Sequence, residues 1–204
     1  MFKSLVLVAS LAAAMPASSA EFITNGNFET GTLAGWTATG NVGIAPTPVF
    51  GLSSPAYGRY LVDFNGGNLA PNGTLGQTIA TSLGRAYTFS FDYGVTSGGA
   101  QSITASALDA TSFAVIATNT VFTNSSLPTT YSFGFTALSS GTIIRFSDVA
   151  SNPTNSQDIA IDNVSVTGPA IAAVAEPATW ALLLAGFGMV GTAVRRRKSG
   201  IVTA

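Results

Sequence analysis

The acidic side chains are the first candidates for chemistry, because glycoside hydrolysis needs a pair of carboxylates. The central part of the chain contains eight, and their spacing marks no pair: Glu21, Glu29, Asp63, Asp92, Asp109, Asp148, Asp158 and Asp162. The sequence has no His and no Cys, which excludes imidazole acid–base catalysis, thiol nucleophiles and Cys/His zinc sites. It contains no nucleophile elbow and no phosphate-binding loop. We therefore predict no catalytic residues, and a glycan-active enzyme is the third of three hypotheses.

Aromatic side chains are the second group of candidates, because an aromatic ring can stack on the face of a sugar. Trp36, Phe50, Tyr57 and Tyr60 lie in or near loop-like segments. The alternative is that such rings fill the core, and Trp36 is the one most suited to do so. Tyr57 is the preferred ligand-binding residue because its surroundings are rich in Pro, Ser and Gly, with Trp36 as the second candidate.

Charge limits the classes of partner. The chain has 204 residues, of which 47% are hydrophobic and only 8% are charged, against about 25% in an ordinary soluble domain. Outside the two ends there are three cations, Arg59, Arg85 and Arg145, against eight acids. This part is therefore net negative and offers no basic surface for nucleic acid.

The region between the ends predicts one all-β domain over residues 21–168. Tyr87, Phe89, Phe91 and Tyr93 alternate with small polar residues, which is typical of a strand with one buried face. Turn-forming residues separate similar short runs. The predicted strands are Phe22–Thr24, Tyr60–Phe64, Thr74–Ile79, Ala86–Tyr93, Ser102–Leu108, Ala114–Val121, Thr130–Thr136, Thr142–Ser147 and Asp158–Thr167. In the last of these the apolar parity switches at Asp162 and Asn163, which predicts a β-bulge.

Short motifs near both ends of this domain resemble the galactose-binding-like jelly rolls of carbohydrate-binding modules. They are Asn25–Glu29, Gly35-Trp36, Tyr87–Phe91 and Ile161–Val166. The resemblance implies a jelly-roll β-sandwich with adjacent first and last strands. It also implies a structural calcium held by Glu29 and Asp162 together with backbone carbonyls, since calcium takes six to eight oxygen ligands. The alternative is that both carboxylates only accept hydrogen bonds from turn backbone.

The N-terminus has the three parts of a secretory signal peptide over residues 1–20. Lys3 is a short positive region, Leu5 to Ala14 is apolar, and Ser18-Ser19-Ala20 offers small residues to signal peptidase. The apolar part is shorter than the roughly 20 residues that span a bilayer. A core helix is the alternative. The mature chain is expected to begin at Glu21, outside the cytoplasm.

The C-terminus contains an uncharged, mostly apolar run over residues 179–194, after a linker at 169–175. As a helix the run would reach about 24 Å, slightly less than the roughly 30 Å hydrocarbon core. Pro177 suits a first helical turn and Trp180 a membrane interface, and the following cations should stay cytoplasmic. A marginal or transient transmembrane helix is favoured over a buried amphipathic helix, because the run has no polar stripe.

Residues 176–200 resemble a PEP-CTERM sorting signal, in which a short motif precedes a membrane helix and a basic end. The matching residues are Glu176, Pro177, Thr179, Trp180, Leu182–Leu184, Gly186, Gly188, Gly191, Arg195, Arg196, Arg197 and Lys198. One departure is Ala175, which stands where the first Pro is usual. The resemblance implies processing by an exosortase, transient residence in the inner membrane of a Gram-negative bacterium, and delivery to the cell surface or extracellular matrix.

The leading hypothesis is a non-catalytic exported protein of the cell surface or of a biofilm matrix rich in exopolysaccharide. A carbohydrate-binding module that recognises extracellular polysaccharide is the alternative. Exosortase, signal peptidase and polysaccharide are the expected partners, with calcium as a structural ion and no cofactor otherwise.

Overall fold

The computed structural model describes residues 19–48, 55–66, 70–96, 99–153, 158–170 and 183–190. Within these ranges the chain forms eleven β-strands and a 3₁₀ helix at Pro55–Tyr57. The strands are β1 (Ser19–Glu21), β2 (Thr37–Thr39), β3 (Val42–Pro46), β4 (Tyr60–Phe64), β5 (Thr74–Ala80), β6 (Ala86–Val95), β7 (Gln101–Asp109), β8 (Val115–Thr123), β9 (Thr129–Thr136), β10 (Gly141–Asp148) and β11 (Ile159–Pro169).

The strands form two antiparallel sheets that face each other. The six-stranded sheet has the order β3-β4-β11-β6-β9, and β1 pairs with the second half of β11. The five-stranded sheet has the order β2-β5-β10-β7-β8. Non-consecutive neighbours such as β4, β11 and β6 are typical of a jelly roll. The predicted jelly-roll β-sandwich is confirmed, and the sheet neighbours of β11 come from far apart in the chain.

The core lies between the inner faces of the sheets and follows the alternation of aromatic residues. Phe89 and Phe91 on β6 are fully buried, and each packs against Phe146 of the opposite sheet. The rings of Phe91 and Phe146 meet edge to face, with centroids 4.9 Å apart and planes at 82°. Each buried ring stabilises the fold by about 1.5–3 kcal/mol. Core side chains therefore occupy the inner faces of the two sheets.

The predicted β-bulge is present in β11. Asp162 pairs with Asp92, and the next pairing is Ser165 with Ser90, so β11 contains one residue more than β6. Asn163 takes a φ of +48° at this position. The bulge lets residues on both sides of it point into the core, because it switches the parity of the strand.

The sequence prediction differs from the structure near the N-terminus. Phe22–Thr24 is not a strand, since the first strand is β1 at Ser19–Glu21. The sequence does not predict β2 or β3. β2 has only three residues, too few to show an alternation of apolar and polar side chains. β3 contains Gly43 and ends at Pro46, and both residue types are unfavourable in a strand. Both β2 and β3 are edge strands, where Pro and Gly are tolerated.

The part of the chain from 171 onwards forms a separate compact unit. Its described portion is a helix, α1, at residues 183–190, inside the predicted transmembrane run at 179–194. Within the described ranges, no helix has the length and apolar character that crossing a membrane requires. The predicted residues of the sorting motif lie outside the described residues: Glu176, Pro177, Trp180, Arg195, Arg196, Arg197 and Lys198.

Candidate functional site

A cavity of about 540 Å³ opens on the outer face of the five-stranded sheet. Ligand pockets commonly have volumes of about 300–1,000 Å³. Apart from Gln77, which is buried, its polar and aromatic lining residues define what we call the threonine groove: Thr37, Thr39, Thr74, Thr78, Phe113 and Arg145. These residues come from β2, β5 and β10 and from the turn between β7 and β8. The groove therefore presents hydroxyls, a guanidinium and an aromatic ring on one sheet face.

The depth of the groove comes from a glycine in its floor. Gly76 on β5 pairs in register with Thr37 on one side and with Arg145 on the other. A strand glycine has no side chain to fill the space above the sheet. Thr37 and Arg145 therefore stand on either side of a depression at Gly76.

Arg145 is the charged residue of the groove. Its neighbours on β10, Ile144 and Phe146, are fully buried in the core, so the guanidinium belongs to the opposite face. The Nε atom is buried and makes no hydrogen bond within the part of the chain that the structure describes. Since an arginine stays charged at any relevant pH, a half-buried guanidinium with an unpaired Nε–H is costly, and an anion bound in the groove would offset that cost.

Phe113 supplies an aromatic ring at the rim of the groove. Its side chain is 68% exposed and its φ is +60°, which is unusual for a bulky residue and stores strain. The turn is fixed by Asp109, whose carboxylate accepts hydrogen bonds of 2.7 Å from the amide and the hydroxyl of Ser112. The hydroxyl bond from Ser112 is the main cause that lowers the pKa of Asp109 to about 2.

The two aromatic residues predicted to bind ligand are core residues instead. Tyr57 is fully buried and packs with Ala45, Leu61 and Ala160 in a second small cluster. Trp36 is 8% exposed and packs against Phe28 with ring centroids 5.5 Å apart. Neither ring has a face open to a sugar.

The interpretation of Tyr57 as an exposed platform is therefore corrected. Its loop-like sequence forms a 3₁₀ helix that lays the ring over the six-stranded sheet. The absence of a side chain at Gly94 accommodates the Tyr57 hydroxyl, because a Cβ on Gly94 would lie 1.9 Å from it. The ring that does stand in the open, Phe113, escapes sequence reasoning because its exposure depends on the left-handed backbone of a turn.

The structure brings the predicted calcium ligands Glu29 and Asp162 into electrostatic contact. Asp162 is 1% exposed, and burial raises its pKa to about 8, with the carboxylates of Glu29 and Asp92 adding to the effect. One carboxylate oxygen of Asp162 accepts a 2.7 Å hydrogen bond from the amide of Asn163. A buried carboxylate beside two others favours a bound proton or a bound cation. Glu29 and Asp162 would supply only part of the six to eight oxygen ligands that calcium takes.

Backbone hydrogen bonding, the alternative role of these carboxylates, is also present. An oxygen of Glu29 accepts hydrogen bonds from the amides of Arg59 at 2.8 Å and Tyr60 at 3.3 Å. Among the described residues, no three Asp, Glu, His or Cys side chains are placed to hold a metal ion together. A calcium bound by Glu29 and Asp162 would therefore need backbone carbonyls, as the resemblance implied.

A second cavity, of about 660 Å³, is lined by residues of β6, β8 and β9 and of the segment that follows β9. Its lining includes Val115, Phe135 and Leu138, and none of the described residues that line it is charged. The hydroxyl of Tyr87 there already accepts a 2.8 Å hydrogen bond from the amide of Ser82. The threonine groove is the better candidate for a polar ligand.

Comparison with known families identifies the domain. A family model described as a carbohydrate binding domain matches residues 20–148. The chain belongs to this family. The match contains every residue of the threonine groove and Glu29, and it ends before β11 and Asp162.

A second family model, the PEP-CTERM protein-sorting motif, matches residues 173–198. This match encloses every predicted residue of the sorting motif, and it holds although Ala175 replaces the usual Pro. The chain thus combines a domain of the carbohydrate-binding family with a protein-sorting motif that implies export. No curated protein matches the sequence.

Solved structures with the same fold include isolated modules and one domain of a larger enzyme. An arabinose-bound MgGH51 α-L-arabinofuranosidase has a TM-score of 0.51 and 17% identity over 74% of this chain, which spans 27% of that enzyme. TmCBM61 in complex with β-1,4-galactotriose has a TM-score of 0.50 and 16% identity, covering 72% of this chain and 97% of the module. The CBM36-1 domain of a xylanase from the hindgut metagenome of Trinervitermes trinervoides has a TM-score of 0.50 and 13% identity, covering 76% and 100%. At these identities the likeness concerns the fold.

Proposed function

We propose that this protein binds a polysaccharide in the threonine groove, without cleaving it, at the surface or in the extracellular matrix of a Gram-negative bacterium. The observation that carries the proposal is the groove itself, in which a half-buried guanidinium, threonine hydroxyls and an exposed ring share one sheet face. The family assignment supports the ligand class, and the sorting motif supports the destination.

The chemistry of the groove suits a sugar chain. Threonine hydroxyls both donate and accept hydrogen bonds, as the hydroxyls of a sugar do. The Phe113 ring offers an apolar face for the C–H groups of a sugar ring. The floor at Gly76 lets the ligand approach the backbone of β5. TmCBM61, which shares the fold, is in complex with a galactotriose, and this supports an oligosaccharide as the class of ligand.

A glycan array probed with the exported mature protein tests this function. Wild type is expected to bind a subset of polysaccharides, and Phe113→Ala to bind them at least tenfold more weakly. Leu127→Ala is a matched control, because Leu127 is also exposed, at 65%, and does not line the groove. An equal loss of glycan affinity in both variants would contradict binding in the groove. Release of reducing sugar from the bound glycan would contradict a non-catalytic function.

The proposed destination depends on both ends of the chain. Signal peptidase would remove residues 1–20, and an exosortase would act at the motif around Glu176 and Pro177 while the apolar run 179–194 holds the protein in the inner membrane. Intact mass measured separately in the membrane, surface and medium fractions tests this route. A surface form that has lost both ends is expected, whereas a form that keeps Arg195 to Ala204 and stays in the inner membrane would contradict it.

A structural calcium is proposed at the contact between the Asn25–Glu29 segment and the bulge of β11. Glu29 and Asp162 would hold the ion with backbone carbonyl oxygens. Bound there, calcium supplies positive charge that offsets the buried carboxylate of Asp162. The ion would join the two ends of the domain and would play no part in catalysis.

A further inference from the structure

The charge of the threonine groove has one sign. Of the described residues that line the cavity, Arg145 carries the only charge, and none is acidic. The neighbouring acid on β7, Asp109, is 4% exposed and tied to Ser112, and it is not part of the lining. The groove is therefore a positive site on a domain that is otherwise net negative.

The guanidinium of Arg145 is poised for a planar anion. Arg145 is half-buried and lines the groove, and the two terminal N–H groups of a guanidinium form a fork that binds both oxygens of a carboxylate. Such charge-assisted bonds are about twice as strong as neutral ones, and they strengthen where water is partly excluded. A neutral sugar hydroxyl would leave one arm of this fork without an equal partner.

We propose that the threonine groove selects a glycan that carries carboxylate groups, a polysaccharide containing uronic acids. Arg145 binds the carboxylate, the threonines bind sugar hydroxyls, and Phe113 contacts the ring. This specificity rests on the proposed function, since it names the ligand class of the same groove.

Affinity electrophoresis of the exported mature protein in gels that contain polygalacturonate or alginate tests the proposal. The same two polymers with their carboxylates esterified serve as neutral counterparts, and dextran sulfate separates carboxylate recognition from binding to any polyanion. Wild type is expected to bind at least one of the free acids at least tenfold more tightly than its ester and than dextran sulfate. Equal binding to acid and ester would overturn the proposal without any variant being made.

Three variants assign the effect to the groove. Arg145→Gln is expected to lose at least tenfold in affinity for the acidic polymer, and Arg145→Lys to retain part of it, because a lysine keeps the charge and lacks the fork. Arg85→Gln is the matched control, because it removes the same charge from an exposed position outside the groove. A loss in Arg85→Gln as large as in Arg145→Gln would indicate general charge attraction and would overturn the proposal.

The outcomes distinguish the specificity for acidic glycans from the more general function of glycan binding. Binding of neutral polymers that Phe113→Ala weakens and Arg145→Gln leaves unchanged would overturn the acidic specificity and keep the groove as a glycan site. Failure of a folded wild-type protein to bind any polymer, acidic or neutral, would overturn both.

Discussion

Asp63 gives a pH dependence whose sign follows from its burial. It lies on β4 between Gly43 of β3 and Ala160 of β11. Burial raises its pKa from 3.8 to about 7, and the nearby carboxylate of Asp158 adds to the increase. The native state therefore keeps a proton that the unfolded chain releases near pH 4. The contribution of Asp63 to stability should be greatest below pH 4 and should be lost as the pH rises to about 7.

The size of this effect follows from the shift of about three pKa units. At 1.36 kcal/mol per unit, ionised Asp63 destabilises the native state at pH 8 by up to about 4 kcal/mol. Asp63→Asn keeps the shape of the side chain and removes the charge. We expect the variant to be about 2–4 kcal/mol more stable than wild type at pH 8 and nearly equal to it at pH 4.

Urea unfolding followed by tryptophan fluorescence, at pH 4 and pH 8 in the presence of EGTA, measures both differences. Asp109→Asn is a control of opposite sign. In wild type the Ser112 hydrogen bonds lower the pKa of Asp109. The charge of Asp109 therefore stabilises the fold above pH 4, and that stability is lost as the pH falls towards 2. The control variant should therefore lose stability at pH 8. Equal stability of Asp63→Asn and wild type at pH 8 would refute the burial argument.

Three further predictions concern the metal, the core and the rim of the groove. EGTA should lower the melting temperature of wild type and have little further effect on Glu29→Gln. An unchanged melting temperature of wild type in EGTA would rule out a structural calcium. Tyr57→Ala should cost about 3–5 kcal/mol of stability, because it opens a cavity in a buried cluster. The folded fraction of this variant should bind glycan as wild type does. Loss of glycan binding in the folded variant would show that Tyr57 belongs to the binding site. Phe113→Gly should raise the melting temperature slightly by relieving the strain at a φ of +60°, and should weaken glycan binding; a lower melt would argue against strain in the turn.

The strands that can be predicted from the sequence are those with a strong alternation. β6 places four aromatic rings on one face, and the parity switch at Asp162 marks the bulge in β11 from the residue pattern alone. The contact between Glu29 and Asp162 follows from the neighbouring first and last segments of a jelly roll. The family resemblance of both parts of the chain is confirmed by the matching family models.

The groove cannot be predicted in this way, because it depends on which strands become neighbours. Gly76 deepens it only because β2 and β10 pair on either side of β5. In the domain sequence, residues 21–168, Arg145 is one of three scattered cations, although its place between Ile144 and Phe146 already directs it away from the core. The prediction for Tyr57 is wrong because a Pro- and Gly-rich segment can fold back as a 3₁₀ helix over a sheet. Local composition predicts exposure poorly where a loop packs against the domain.

Chemical-shift mapping tests the central claim most directly. The amide resonances of the exported mature protein would be recorded during titration with the oligosaccharide that binds best on the array. The account predicts that the shifts concentrate at Thr37, Gly76, Phe113 and Arg145 on the outer face of the five-stranded sheet. Shifts concentrated instead at the opposite face of the molecule, around Tyr57 and Asp162, would contradict it.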